Sequence, residues 1–459
     1  MRAALLLAAH VALAVGIKAV PPLATIHAFA TVAVCMFVAA TRPFSSVAVA
    51  IGYAAGAEVL WRMSRDVPID QLGKYTVIMI TGIAILRLRG RRNWSTAVTY
   101  FLLLLPSVLL TLGKLPIDSA RQQIAANLSG PLSIALCVMF FSNIVLSEDA
   151  RRRVYLSVMC GGLAIATLSI ISTAAAKQIE FGKGSTGATS GGFGPNQVSA
   201  ILGLGLMFCV LMLFEQRRSW RSRIPLMALA LVFAVQAALT FSRGGLFLAL
   251  GALALALGYL VRNARARATL FVTVGVFVLI AEVFVIPRLE DFTQGHFAER
   301  YSSADPTGRT LLASYDLRIF ADHPALGVGP GAASPLRGAM GHVGAAHTEY
   351  TRLLAEHGLL GLAAMIILLA LAYRTFRLAR GLQARALTSS MVAWFLVYLL
   401  INSTRVVAPS MMFGLACSIA HGSRLAARKL AAKNASRTEM LKGSAPFIRR
   451  PESGEVVPG

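Results

Sequence analysis

The sequence predicts an all-α protein that crosses a membrane many times, and three observations predict it. Apolar runs recur along the whole chain, several of them reaching the ~17–25 residues that a membrane-spanning helix needs. Basic residues gather in alternate gaps between those runs, as expected when one set of loops faces the cytoplasm. The 459 residues are 56% hydrophobic and only 14% charged, against roughly 25% charged in a soluble domain.

The apolar runs are 3–20, 23–40, 47–61, 75–86, 96–112, 132–146, 154–172, 198–214, 224–240, 246–261, 269–286, 359–372, 387–401 and 406–419. Short ones such as 75–86 must tilt, re-enter or borrow flanking residues, so about 11–14 membrane helices are expected. The first run follows Arg2 and resembles a signal peptide, but the runs behind it favour a retained helix.

A formal charge of +24 suggests nucleic acid as a partner, but the positions of the charges exclude it. Arg87 to Arg92, Arg151 to Arg153, Arg217 to Arg223, Arg262 to Arg267 and Arg374 to Arg385 all sit in short gaps between apolar runs. The interval 288–346 instead mixes Arg288, Arg300, Arg309, Arg318 and Arg337 with six acids and is nearly neutral. With a cytoplasmic N-terminus and every run crossing, all basic clusters fall inside, and the loops 62–74, 113–130, 174–196 and 288–346 fall outside. Both termini are then cytoplasmic, and membrane lipids surround the chain.

The chain therefore divides into N-terminal membrane helices (1–173), central membrane helices (174–287), one long outer loop (288–346), C-terminal membrane helices (347–423) and a basic tail (424–459). The tail mixes Ser, Pro, Gly and charge and is expected to be disordered. Cys35, Cys137, Cys160, Cys209 and Cys417 lie within apolar runs, without metal-ligand spacing, and read as small buried residues.

Three outer places hold polar groups suited to chemistry. In Thr240-Phe241-Ser242-Arg243-Gly244-Gly245 the glycines permit a tight turn and close backbone approach. Arg243 at the membrane boundary suits either a phosphate, gripped through paired N–H donors, or lipid headgroups. The Gly- and Ser-rich stretch ending Gly194-Pro195-Asn196-Gln197 opens a helix, where Asn196 suits an anion or a cap. In the long loop, Arg309 precedes Leu311, Leu312, Tyr315 and Ile319 at helical spacing, which predicts a short amphipathic helix ended by Asp322-His323-Pro324. A glycine-rich turn follows, then His342, His347, Glu349, Glu356 and His357. The three histidines lack the close spacing of a helical zinc motif, so no metal is expected. A neutral imidazole at His347 suits a general base.

Taken together, Ser242-Arg243-Gly244-Gly245, the run from Gly308-Arg309 through His323-Pro324-Ala325-Leu326-Gly327-Val328-Gly329-Pro330-Gly331, and Ala346-His347-Thr348-Glu349-Tyr350 through Ala355-Glu356-His357-Gly358 resemble the O-antigen ligase and polymerase superfamily. The resemblance covers about residues 182–362. It implies a C-type membrane fold with one long periplasmic loop, in the inner membrane of a bacterium. It also implies an inverting, metal-independent glycosyltransferase without a cofactor, which moves a glycan from undecaprenyl diphosphate to lipid A core or another glycan acceptor. Arg243, Arg309 and His347 match the family's site residues, with Thr348 where Asn or a similar small polar residue commonly stands. Asn196, Glu349 and Tyr350 join Arg243 and Arg309 as candidate substrate-binding residues, and Glu349 is the alternative base. Ligase and polymerase are not separated by these motifs. A lipid-linked sugar transporter is the rival class, but no two-halved symmetry of the transporter kind is visible.

Overall fold

The computed structural model describes residues 2–89, 94–182, 184–214, 220–261, 264–302, 309–340 and 347–443, and all regular structure among them is helical. Eight helices are long and apolar enough to cross a membrane: Pro22–Thr41, Phe44–Met63, Ile117–Phe141, Glu148–Ala175, Pro195–Phe214, Arg243–Leu260, Glu349–Leu378 and Leu382–Ile401. Arg2–Ala19, Leu72–Arg87, Trp220–Leu239, Ala264–Ile280 and Ala408–Gly443 complete the bundle. The chain is a polytopic all-α membrane protein.

Close contacts between small residues hold the centre together, as helices in lipid require. A Cβ on Gly161 would lie 2.4 Å from the backbone of Gly56, which locks Phe44–Met63 to Glu148–Ala175. A Cβ on Gly245 would lie 2.1 Å from the Ser199 carbonyl oxygen. Gly245 therefore serves helix-to-helix contact with Pro195–Phe214.

Four boundaries differ from the sequence reading. The run 96–112 is two short helices, Ser95–Leu102 and Val108–Lys114, with Pro106 between them; proline lacks the N–H that would continue the ladder. The loop expected at 113–130 is largely the start of Ile117–Phe141. Its polar residues include Arg121, Gln122, Gln123 and Asn127 among alanines, so polarity marked the face without ending the helix. The basic tail expected to be disordered from residue 424 is helical through Gly443, because its Ala, Lys and Arg are strong helix formers. Residues 444–459 lie outside the described residues. The long outer interval holds the helices Ile286–Phe292, His296–Ser302, Arg309–Asp322 and Ala333–Ala339. Gly308 and His342 lie outside the described residues.

The helix Glu349–Leu378 is broken at Gly358, with φ 60° and ψ −139°. The break receives the glycine-rich turn: Leu359 N–H donates to Pro324 O at 2.8 Å, Val328 N–H to Ala355 O at 3.0 Å and Gly329 N–H to Glu356 O at 3.0 Å. Two stretches of the sequence resemblance thus clasp each other through backbone. A Cβ at Gly358 would lie 2.4 Å from the Pro324 oxygen. Gly358→Ala is expected to lower stability by about 1–3 kcal/mol from backbone strain, read as a lower thermal midpoint of the protein in detergent.

The loops outside the basic gaps converge on one end of the bundle. Arg62 donates to Gln197 Oε1 at 2.7 Å and to Arg405 O at 2.8 Å. Thr111 reaches Pro330 O, and Val407 N–H reaches Glu58. The opposite end carries Arg87 on Ala39 O and Ser423 on the backbone of Arg380.

Candidate functional site

At the converging end, the site begins with a strained turn. Phe241 is buried yet has φ 55°, a conformation that costs a bulky residue energy and survives where surroundings impose it. Phe181 packs on its ring at 5.0 Å, and buried Arg300 donates from Nε to its carbonyl at 2.9 Å. The next residue, Ser242, donates to Asn196 Oδ1 at 2.7 Å, while Ser199 donates to Ser242 O at 2.7 Å. Arg243 then opens its helix.

Arg309, the first described residue of its own helix, comes beside this turn. A Cβ on Gly244 would lie 3.9 Å from an Arg309 guanidinium nitrogen. Burial, and then the charges of Arg243, Arg300 and Arg405, hold the Arg309 guanidinium below its ordinary value. The starts of Pro195–Phe214, Arg243–Leu260 and Arg309–Asp322 therefore meet. Helix starts carry partial positive charge and unsatisfied N–H groups, which add to the field of the guanidiniums. The arrangement suits an anion.

Arg405 connects this cluster to a second one. Burial pushes its guanidinium below the ordinary value, and Arg62 and Arg337 add to that effect. Arg405, Arg62, Arg337, Lys74 and Arg352 line a polar cavity of about 230 Å³, with Gln197, Asn127 and Glu356. Asp316 pairs with Arg337 and accepts from Thr351 at 2.8 Å. Arg352 bridges Glu349 at 2.5 Å and Glu356 at 2.6 Å. Glu58 faces Lys74 and Arg62. The cations Arg62, Lys74, Arg243, Arg300, Arg309, Arg337, Arg352 and Arg405 outnumber the acids Glu58, Asp316, Glu349 and Glu356 in this region.

Arg243 and Arg309 come together, and Asn196 is bonded into the same turn. None of Arg243, Arg309 and His347 lines the 230 Å³ cavity. His347 is half-buried just before Thr348, the cap position of the next helix. That helix is tied to the Arg405 segment, since Glu349 accepts from Thr404 N–H at 3.0 Å and from its hydroxyl at 3.2 Å. Glu349 is held by Arg352 and Thr404, and Tyr350 donates to Leu396 O at 3.0 Å. The amphipathic helix forms as Arg309–Asp322 and buries Leu312, Asp316 and Ile319. Among the described residues, no three of His, Cys, Asp or Glu cluster as metal ligands.

Arg62, Lys74, Arg300, Arg337, Arg352 and Arg405 were not singled out by the sequence. A signal was present for three of them. Arg62, Lys74 and Arg405 are cations at the outer ends of apolar runs, where the positive-inside asymmetry expects few.

A search of the curated proteins finds no match. Residues 228–366 match the family model described as O-Antigen ligase. The matched segment, about a third of the chain, holds the Ser242-Arg243 turn, Arg300, Arg309, the glycine clasp and His347, and is similar to that family.

Proposed function

We propose that the chain transfers a glycan from undecaprenyl diphosphate to a glycan acceptor, lipid A core in the first instance, at the periplasmic face of a bacterial inner membrane. The supporting observation is the meeting of three helix starts with Arg243, Arg300 and Arg309, linked through Arg405 to a basic cavity. A diphosphate is the anion that such a charge excess suits, and the family match supports glycan handling at a membrane.

The carrier diphosphate is already a good leaving group, so the bond to the anomeric carbon breaks once its developing charge is stabilised. Arg243 and Arg309 supply that stabilisation through fixed N–H donors. The acceptor hydroxyl attacks the anomeric carbon from the opposite side, and its proton passes to His347. One displacement inverts the sugar carbon, without a metal or a cofactor. Glu349 is poorly placed as the base, because taking a proton would break its buried pair with Arg352.

Arg309→Ala is expected to lower transfer by about 10²–10³-fold. Arg309→Lys is expected to recover only part of it, since an ammonium lacks the planar fork. Both are read as glycosylated acceptor per amount of inserted protein. Undiminished transfer by Arg309→Ala would remove Arg309 from the site. Polymerase chemistry uses the same donor and differs in its acceptor. In a gene-deletion strain, surface glycolipid with bare cores indicates a ligase, and cores bearing one repeat unit indicate a polymerase.

A further inference from the structure

Arg2–Ala19, Pro22–Thr41, Phe44–Met63 and Glu148–Ala175 line a lateral groove that shares no lining residue with the basic cavity. Its volume is about 580 Å³, within the roughly 300–1,000 Å³ of small-ligand sites. Ala30, Val34, Val38, Val49 and Ala50 are among its lining residues. Glycan transfer makes no use of it.

A hydrogen-bond chain fixes the shape of the groove. Trp61 Nε1 lies 3.1 Å from His27 Nδ1, and His27 Nε2 lies 2.8 Å from Tyr53 OH. Tyr53 OH lies 2.9 Å from His10 Nε2, and His10 Nδ1 lies 2.7 Å from Leu6 O. An indole N–H only donates and a carbonyl only accepts, so with neutral imidazoles the direction of every bond is set. Trp61 donates to His27, His27 to Tyr53, Tyr53 to His10 and His10 to the Leu6 carbonyl. The chain ties the first three helices together and occupies the ring nitrogens and the phenol. This part of the wall therefore asks for no polar ligand. The helices cannot simply collapse onto the space between them.

An apolar space of this kind does not hold water well, and left empty it deprives its lining of contacts. In a bilayer the available filler is hydrocarbon. The groove also reaches Arg153, at the end of the bundle that carries the basic clusters. Of the three consecutive arginines there, Arg151 pairs with Glu148, and Arg152 pairs with Glu148 and Asp149. Arg153 is exposed and, among the described residues, joined to no carboxylate. A hydrocarbon slot with one uncompensated guanidinium at its headgroup end matches a lipid with a negative headgroup.

We propose that this groove holds one anionic phospholipid, with an acyl chain against Ala30, Val34 and Ala50 and its phosphate on Arg153. The lipid covers Leu6 and Val34, which line the groove and are otherwise exposed.

The test is native mass spectrometry of the full chain, purified, delipidated and titrated with phosphatidylglycerol or phosphatidylcholine of the same chain length. One phosphatidylglycerol should bind about tenfold more tightly than phosphatidylcholine, as a charge-assisted contact implies. Arg153→Gln should erase that preference while still binding both lipids. Ala30→Trp and Val34→Trp should each lower retention of both lipids by filling the groove. If one tryptophan variant fails to fold, the other reads the same space, and Val34 already faces outward. Equal binding of the two lipids by the native chain overturns the proposal. So does a headgroup preference that survives Arg153→Gln, or lipid retention unchanged in a folded tryptophan variant.

Discussion

Alanine in place of His347 is expected to lower glycan transfer by about 10²–10⁴-fold, with the amount of inserted protein unchanged. The expectation follows from the division of labour at the converging end of the bundle. In the proposed reaction the guanidiniums of Arg243 and Arg309 stabilise negative charge, and a guanidinium accepts no proton, so the acceptor hydroxyl needs another group as its base. Glu349 and Glu356 are bridged by Arg352, and Asp316 is paired with Arg337. His347 lies half-buried, one residue before the cap of its helix. The check is initial-rate transfer by purified variants: a His347→Ala protein with native rates would move the base to another residue, with Glu349→Gln the next to be measured.

The second large effect is on stability. Arg352→Ala is expected to cost about 3–5 kcal/mol, because it leaves the carboxylates of Glu349 and Glu356 buried without their counter-charge. The loss extends beyond one helix. Arg352 also donates to Asn127 Oδ1 at 3.3 Å, and Glu349 holds Thr404, so three segments of the chain lose their connection at once. A thermal midpoint lowered by many degrees, with little protein recovered from the membrane, is the expected measurement. The exposed pair Arg121 and Asp118 is the control, and Arg121→Ala should leave the midpoint near native, as exposed ion pairs contribute little. A near-native midpoint for Arg352→Ala would show that the triad is not what holds these segments.

The membrane fold was legible because hydropathy and charge asymmetry act over whole segments, and neither depends on tertiary contacts. Segment ends were less legible. The residues 117–130 and 424–443 are polar enough to leave lipid yet rich in helix formers, so the helices continue past the apolar boundary. At the site, Arg243 and Arg309 could be named from local motifs, and the structure places Arg309 beside the turn that presents Arg243. Arg405 and Arg62 could not be named in that way. They lie far apart in sequence and meet only because the outer ends of their helices meet, as the bond from Arg62 to Arg405 O shows. The glycines after Arg243 permit a tight turn and close backbone approach, and Gly245 makes that approach to Ser199. Which backbone it meets becomes visible only when the neighbouring helix is in place. Asn196 suits an anion or a cap by its place in the sequence, and its acceptor oxygen is engaged by Ser242.

The most direct test of the central proposal is donor turnover by the purified full chain, given an undecaprenyl-diphosphate-linked glycan and a lipid A core acceptor in the presence of a metal chelator. The proposal predicts release of undecaprenyl diphosphate together with glycosylated acceptor of inverted anomeric configuration. It also predicts a loss of about 10²–10³-fold in a folded Arg309→Ala protein. No release by the native chain with core or repeat-unit acceptors, or equal release by native and Arg309→Ala proteins, would contradict it.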